Sequence, residues 1–314
     1  MVFVGACRTT SHFQKRIAVS PYPVLEVYGQ VVSAASVFEG QIMDSDIKSY
    51  AHVPPQYQET LALLQNILDF QTSLAEKVES SFQVDRAVAR ERWQAGLPLL
   101  TGELPRLSPS WFQEAVIELR SLLPPEEAVH EALDRLLSSD FMKPSNIETL
   151  LDELLGDSKV CIQRLADATS TSPDIQARLV HTILSPFFQK QVAPYREWIE
   201  AATWRRGICP MCGSEPGIAR LSNENGQYLL TCSLCHTEWS FDRLRCPFCE
   251  SDDQPRQRYF TVEGDRVHRV NCCDRCQRYI KAVDERALGH QANLLVEDVI
   301  TAYMDGLARE QGYQ

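Results

Sequence analysis

No stretch of the 314-residue sequence approaches the roughly 18 to 20 consecutive apolar residues that a membrane-spanning helix needs, so membrane insertion is not expected. A secretory leader is not expected either. The opening "MVFVGACRTTSHFQKR" puts its basic residues after a very short apolar patch, the reverse of the charged-then-apolar order of an export signal. Several catalytic fingerprints are absent too. There is no G-x-G-x-x-G after a strand, no phosphate loop, no G-x-S-x-G and no H-E-x-x-H. "GDSK" at 156–159 lacks the upstream glycine of a phosphate loop and reads as a helix terminus. The residue order of the amino terminus predicts a cytoplasmic protein. In that compartment thiols stay reduced, so clustered cysteines point to metal rather than disulfides.

Charge is unevenly spread. The net charge is −11, yet residues 204–284 hold 12 Lys+Arg against 11 Asp+Glu, a net of +1, whereas residues 1–203 hold 17 against 26, a net of −9. An acidic chain repels phosphate backbones, which argues against nucleic acid as a partner. A nucleic-acid-binding zinc ribbon using Arg243, Arg245, Arg256, Arg258, Arg266 and Arg269 is the alternative of a different class. A rubredoxin-like electron-transfer protein is another, although no nicotinamide or flavin fingerprint supports it.

Residues 1–55 read as neither clear helix nor clear strand, and "VPP" at 53–55 marks a break. From Tyr57 apolar residues recur at helical spacing through Leu61, Leu64, Leu68, Phe70, Leu74 and Val78, predicting one long amphipathic helix. "SPSWFQEAVIELRSLL" offers Ser108 as a cap with Pro109 in the first turn, and "PPEEAVHEALDRLL" has acidic residues in its first turn. Two further helical stretches follow, the last expected to break or kink at Pro186 and Pro194. Paired carboxylates such as Asp152 and Glu153 read as a solvated face. The expected fold is multidomain α and β: an uncertain segment 1–55, an all-helical domain 56–204, metal ribbons at 205–240 and 241–285, and a C-terminal helix at 286–314. "EGD" at 263–265 reads as a hairpin turn, and Leu295, Val299, Tyr303 and Leu307 as the buried stripe of the closing helix. A helical domain of this kind allows a homo-oligomer.

Eight of eleven cysteines form four C-x-x-C pairs: Cys209 with Cys212, Cys232 with Cys235, Cys246 with Cys249, and Cys273 with Cys276. A C-x-x-C knuckle turns both thiolates toward one ion, and two knuckles complete a tetrahedron. "CPMCGS" and "CPFCES" are near copies, each followed by another C-x-x-C with an aromatic residue, Trp239 or Tyr279, three or four residues beyond. This internal repeat favours consecutive pairing of the knuckles, with an interleaved arrangement left open. Ligand type admits zinc or a rubredoxin-type single iron in each four-cysteine site, and ions that only staple small subdomains are the simplest reading. "CSLCH" at 232–236 is also a c-type haem motif. Haem there would strand the knuckle at 209 and 212, so no haem is expected, and His236 reads as a surface or hydrogen-bonding residue. Cys272 could replace Cys273 as a ligand. Cys7 and Cys161 read as buried free thiols.

The stretches "GICPMCGSEP", "YLLTCSLCHTEW", "RCPFCE" and "CDRCQRYIK" resemble the formate dehydrogenase accessory protein family, FdhE, and the closing "EDVITAYMDGLAREQGY" does so less specifically. The resemblance runs from about residue 180 to the C-terminus and maps the family's cysteine motif onto the eight knuckle cysteines, with Pro210, Gly213, Pro216, Trp239, Tyr279 and Lys281 as companions. The Cys272–Cys273 doublet departs from the motif. The resemblance implies a helical region joined to two rubredoxin-like subdomains carrying iron. It also implies a cytoplasmic, non-enzymatic role in maturing formate dehydrogenase, by binding its catalytic subunit before export.

Overall fold

The computed structural model describes residues 2–6, 15–17, 57–80, 82–102, 107–124, 128–155, 158–199 and 204–314. Most of the segment 1–55, with "VPP" and Cys7, lies outside the described residues, as do Glu126 and Glu127 and the first half of "GDSK"; the helix after it begins at Ser158.

A helical region comes first. Its helices are Gln58–Glu76, Arg86–Gln94, Pro109–Leu122, Ala128–Ser138, Pro144–Leu155, Ser158–Thr169 and Pro173–Val192. The heptad-like apolar spacing of the first helix buries Leu64, Ile67, Phe70 and Leu74. The last helix starts as the sequence suggests, with Ser172 accepting from Ile175 N and Pro173 in the first turn. It does not break at Pro186. That proline has no N–H to give to the Thr182 carbonyl one turn earlier, and the buried Gln71 side chain donates to that oxygen instead, at 2.9 Å. Pro194 instead falls in a 3-10 turn, Ala193–Trp198, that follows the helix.

Two strands from the start of the chain, β1 (Val2–Ala6) and β2 (Lys15–Ile17), join a sheet built mainly from later residues. Those are β3 (Pro216–Leu221), β4 (Tyr228–Cys232), β5 (Glu238–Ser240), β6 (Gln257–Val262), β7 (His268–Cys273) and β8 (Arg278–Asp284). The strand order is β2-β1-β6-β7-β8-β3-β4-β5. The "EGD" turn joins β6 to β7, with Gly264 at φ +89°. The two ribbons are not separate sheets. β3 of the first pairs in parallel with β8 of the second, Ile218 opposite Lys281 and Leu221 opposite Asp284.

The closing segment is three helices, Glu285–Leu288, Leu294–Ile300 and Ala302–Glu310, rather than one. The fully buried positions are Leu294, Val296, Val299, Met304 and Ala308, while Leu295, Tyr303 and Leu307 of the expected stripe are only partly covered. The interruption at Thr301 shifts the buried face. Ion pairs pin these helices to one face of the sheet. Lys281, buried on β8, reaches Asp298 at 2.6 Å and Asp305 at 2.8 Å, and His268 on β7 reaches Glu297 at 2.7 Å. Arg220 on β3 lies between Glu238 and the fully buried Glu285. Desolvation offsets much of the attraction in buried pairs of this kind, but removing one partner leaves a buried charge uncompensated.

Candidate metal centre

All four knuckles share one backbone turn. In three of them the first cysteine of the pair accepts a hydrogen bond at its carbonyl from the residue after the second: Gly213 N to Cys209 O, Glu250 N to Cys246 O and Gln277 N to Cys273 O, at 2.8 to 3.0 Å. That following residue has positive φ in every knuckle: Gly213 at +83°, His236 at +56°, Glu250 at +54° and Gln277 at +58°. The "CSLCH" histidine is thereby explained. His236 holds the left-handed position of its knuckle and is buried at 5% exposure, not on the surface. Burial is the largest influence on its ring and holds its pKa down to about 3, so the imidazole is neutral.

The turns bring the thiols together in two groups. Cys209, Cys212, Cys232 and Cys235 lie with all sulfurs within 4.8 Å of one another, and Cys246, Cys249, Cys273 and Cys276 do the same. Consecutive knuckles share a group, and no interleaved group forms among the described residues. Sulfur–sulfur separations are 3.5 Å for Cys209–Cys235, 3.4 Å for Cys212–Cys232, 3.6 Å for Cys246–Cys276 and 3.8 Å for Cys249–Cys273. A tetrahedron with metal–sulfur bonds of about 2.3 Å has edges of about 3.8 Å, so each quartet fits one zinc or iron ion. Backbone N–H groups already face the sulfurs: Met211 N toward Cys209, and Leu234 N and Cys235 N toward Cys232, each at 3.4 Å. Burial, with the neighbouring sulfurs, pushes the Cys209 and Cys232 thiols well up. For Cys235 burial also opposes ionisation, but hydrogen bonds from Cys209, Cys212 and Cys232 outweigh it and bring the thiol down. A thiol cluster this tight is suited to a cation that offsets several thiolates at once.

Cys272 lies outside the quartets. Strand alternation turns it to the opposite face from Cys273, into an apolar cluster with Phe260, Val270, Met304 and Tyr313. Cys161 is a buried free thiol, raised to about 12 by burial first and by Glu153.

The surroundings were not legible in the sequence. The first quartet hangs on the helical region through four peptide carbonyls. Pro210 O accepts from Leu99 N at 2.8 Å and from the Trp93 indole at 2.9 Å, and Met211 O from Leu100 N at 2.9 Å. Leu234 O accepts from Ser185 Oγ at 2.7 Å and Cys235 O from Arg196 Nη2 at 2.8 Å. The companions of the motif support the frame: the Trp239 indole donates to Arg206 O at 3.1 Å, and Tyr279 OH to Asp305 Oδ1 at 2.9 Å. Gly207 locks one ribbon to the other, because a Cβ there would fall 1.7 Å from the Pro247 carbonyl oxygen in the third knuckle.

A helical region carrying a single sheet with two four-cysteine centres defines a twin-ribbon protein with two candidate metal sites. Comparison with known proteins shows what this arrangement is similar to. The family model "FdhE, central domain" matches residues 208–243, the first quartet and its strands. A protein FdhE homolog of Aquifex aeolicus is 31% identical over 117 residues, covering 36% of this chain and 41% of that protein. The homolog of Pseudomonas aeruginosa is 34% identical over 120 residues, covering 35% and 38%, and protein FdhE of Escherichia coli K12 is 26% identical over 112 residues, covering 35% of each. The aligned part of the chain thus spans about two-fifths or less of these curated relatives. The crystal structure of the FdhE protein from Pseudomonas aeruginosa superposes with a TM-score of 0.57 at 20% identity, over 85% of this chain and 89% of that one, which shows a shared fold. The chain is thus similar to FdhE proteins in sequence around the four-cysteine centres and shares the fold of one of them.

Proposed function

We propose that this protein is a cytoplasmic, non-enzymatic accessory protein for formate dehydrogenase that binds the dehydrogenase's catalytic subunit and holds two metal ions. The observation that carries the reading is the pair of sulfur quartets on an FdhE-like sheet, each with the spacing of one tetrahedral ion. Cys209, Cys212, Cys232 and Cys235 would hold one ion and Cys246, Cys249, Cys273 and Cys276 the other. We assign iron of rubredoxin type, with zinc as the alternative; bound iron would supply a one-electron couple, and either metal would cross-link the knuckles. The divisions near residues 204 and 240 then mark the helical part and two metal-nucleated ribbons. No helix among the described residues is long and apolar enough to cross a membrane.

The nucleic-acid reading gains little from the arginines of the second ribbon. Arg256 pairs with Asp253 at 3.2 Å, Arg258 with Asp274 at 2.6 Å, and Arg245 donates to the carbonyls of Arg205 and Glu250. Anaerobic affinity purification from cells expressing formate dehydrogenase tests the main reading. Recovery of the catalytic subunit with metal-loaded protein is the expected result. A colourless, zinc-loaded protein would remove the redox part, and a metal-loaded protein that recovers no dehydrogenase would refute the accessory role.

A further inference from the structure

A cavity of about 1260 Å³ lies between the helical region and the first sulfur quartet. It is larger than the roughly 300–1,000 Å³ of an ordinary small-molecule site. One wall is apolar and comes from the helices Pro144–Leu155 and Pro173–Val192, with Leu151, Leu154, Val180, Leu184 and Phe188. The opposite wall is the knuckle side of the first quartet, with Cys212, Ser214 and Ser233. Cys212 is the one cysteine of that quartet that is not fully buried, and it lines this space.

The charge of the cavity is one-sided. Among the described lining residues there is no Lys or Arg, and besides Cys212 the ionisable groups are Glu148, Asp152, Glu215 and His181. Glu215 is already met by the Arg278 guanidinium in two bonds of 2.7 Å. Burial holds His181 down to about 4 despite the Glu215 charge, so its ring is neutral. Glu148 and Asp152 remain. They stand one helical turn apart on the exposed rim, and Asp152 thus has a setting distinct from Glu153, whose partner is Arg164.

We propose that this groove is a docking site for a peptide segment of a partner protein in which basic side chains stand beside apolar ones. The apolar side chains enter against Leu151, Val180, Leu184 and Phe188, and the basic ones meet Glu148 and Asp152. A segment seated there lies against Cys212, so the first metal centre, and not the second, faces the partner. The inference deepens the accessory reading above and rests on it for the identity of the partner, but its test needs no dehydrogenase.

The test uses the full-length, metal-loaded protein and a short fluorescent peptide alternating arginine with leucine, with fluorescence anisotropy as the readout. Two comparison peptides carry glutamate in place of arginine or serine in place of leucine. The arginine–leucine peptide should bind and both comparison peptides should fail. Glu148→Gln with Asp152→Asn should weaken binding by about three- to tenfold, the yield of two exposed ion pairs, and added salt should do likewise. Ala177→Phe, which fills the groove from the helix Pro173–Val192, should abolish binding. Glu59→Gln with Glu310→Gln removes the same charge from outside the groove and should leave binding unchanged. The proposal is overturned if the arginine–leucine peptide does not bind, if the glutamate peptide binds equally well, or if the paired changes inside and outside the groove have the same effect. Because the assay contains no client protein, failure here is separate from failure of the affinity purification, which would refute the accessory role while leaving a peptide groove in place.

Discussion

The first quartet is held from outside by the helical region, which donates five hydrogen bonds to the carbonyls of Pro210, Met211, Leu234 and Cys235. The second quartet, built from near-identical knuckles, is held by its own end of the chain. Gln314 N donates to Gln277 O at 2.7 Å, and Tyr313 OH to Asp274 Oδ1 at 2.7 Å. The first has three buried cysteines and one partly exposed; the second has two of each. Equal sets of four thiols are therefore placed in unequal settings, and the difference teaches that sulfur geometry and mechanical role are set separately. The first centre is part of the main hydrophobic core, which includes Cys209, Cys232 and Cys235. Of the second quartet, none of the four cysteines belongs to that core.

The contrast predicts unequal consequences of removing each site. Cys209→Ser with Cys212→Ser should lose one equivalent of metal and destabilise the helical region by more than about 4 kcal/mol. Cys246→Ser with Cys249→Ser should lose one equivalent and cost the helical region less than about 2 kcal/mol, the damage staying in the second ribbon. Metal analysis with thermal unfolding followed by circular dichroism would check both, and equal losses would break the comparison. Gly207→Ala attacks the seam between the sites. With backbone as the clashing atom, it should cost roughly 2–4 kcal/mol and loosen both centres together, seen as metal release to a chelator.

A smaller effect concerns the C-terminal helices. His268 gains the carboxylates of Asp265 and Glu297, and although burial opposes its charge its pKa rises to about 9. Because the folded pKa lies above the unfolded value, the stabilisation is full below about pH 6.5 and is lost as pH rises through about 9. His268→Gln should therefore cost about 1–3 kcal/mol at pH 6 and much less at pH 10, measured by urea unfolding at both. The smallest effect has the opposite sign. Gln277→Gly relieves a left-handed residue at +58° and should add up to about 1 kcal/mol without changing metal content. Its counterpart in the first knuckle is already Gly213.

The helical stretches were legible because apolar residues at i, i+3 and i+4 leave little choice of face, and the knuckles because eight cysteines repeat at one spacing. What was not legible depends on distant partners. Pro186 reads as a break until Gln71, 115 positions earlier, is seen to satisfy the Thr182 carbonyl. The left-handed turn is announced by glycine at Gly213, but the same turn is hidden under His236, Glu250 and Gln277, residues without that signature. Joining the ribbons through parallel β3 and β8 leaves no trace in either strand's alternation. The pocket beside Cys212 arises from helices and a knuckle that lie far apart in the chain.

The parallel pairing of β3 with β8 also dictates a timetable for synthesis. As the chain leaves the ribosome, the hairpin of β3 and β4 can close and its knuckles can meet while residue 281 is still being made. The outer side of β3 must then wait, unpaired, for about forty-five further residues to emerge. During that interval the nascent protein carries an open strand edge beside a completed set of four thiols. Early metal capture at the first centre would give the growing chain a rigid seed on which the last strand can dock.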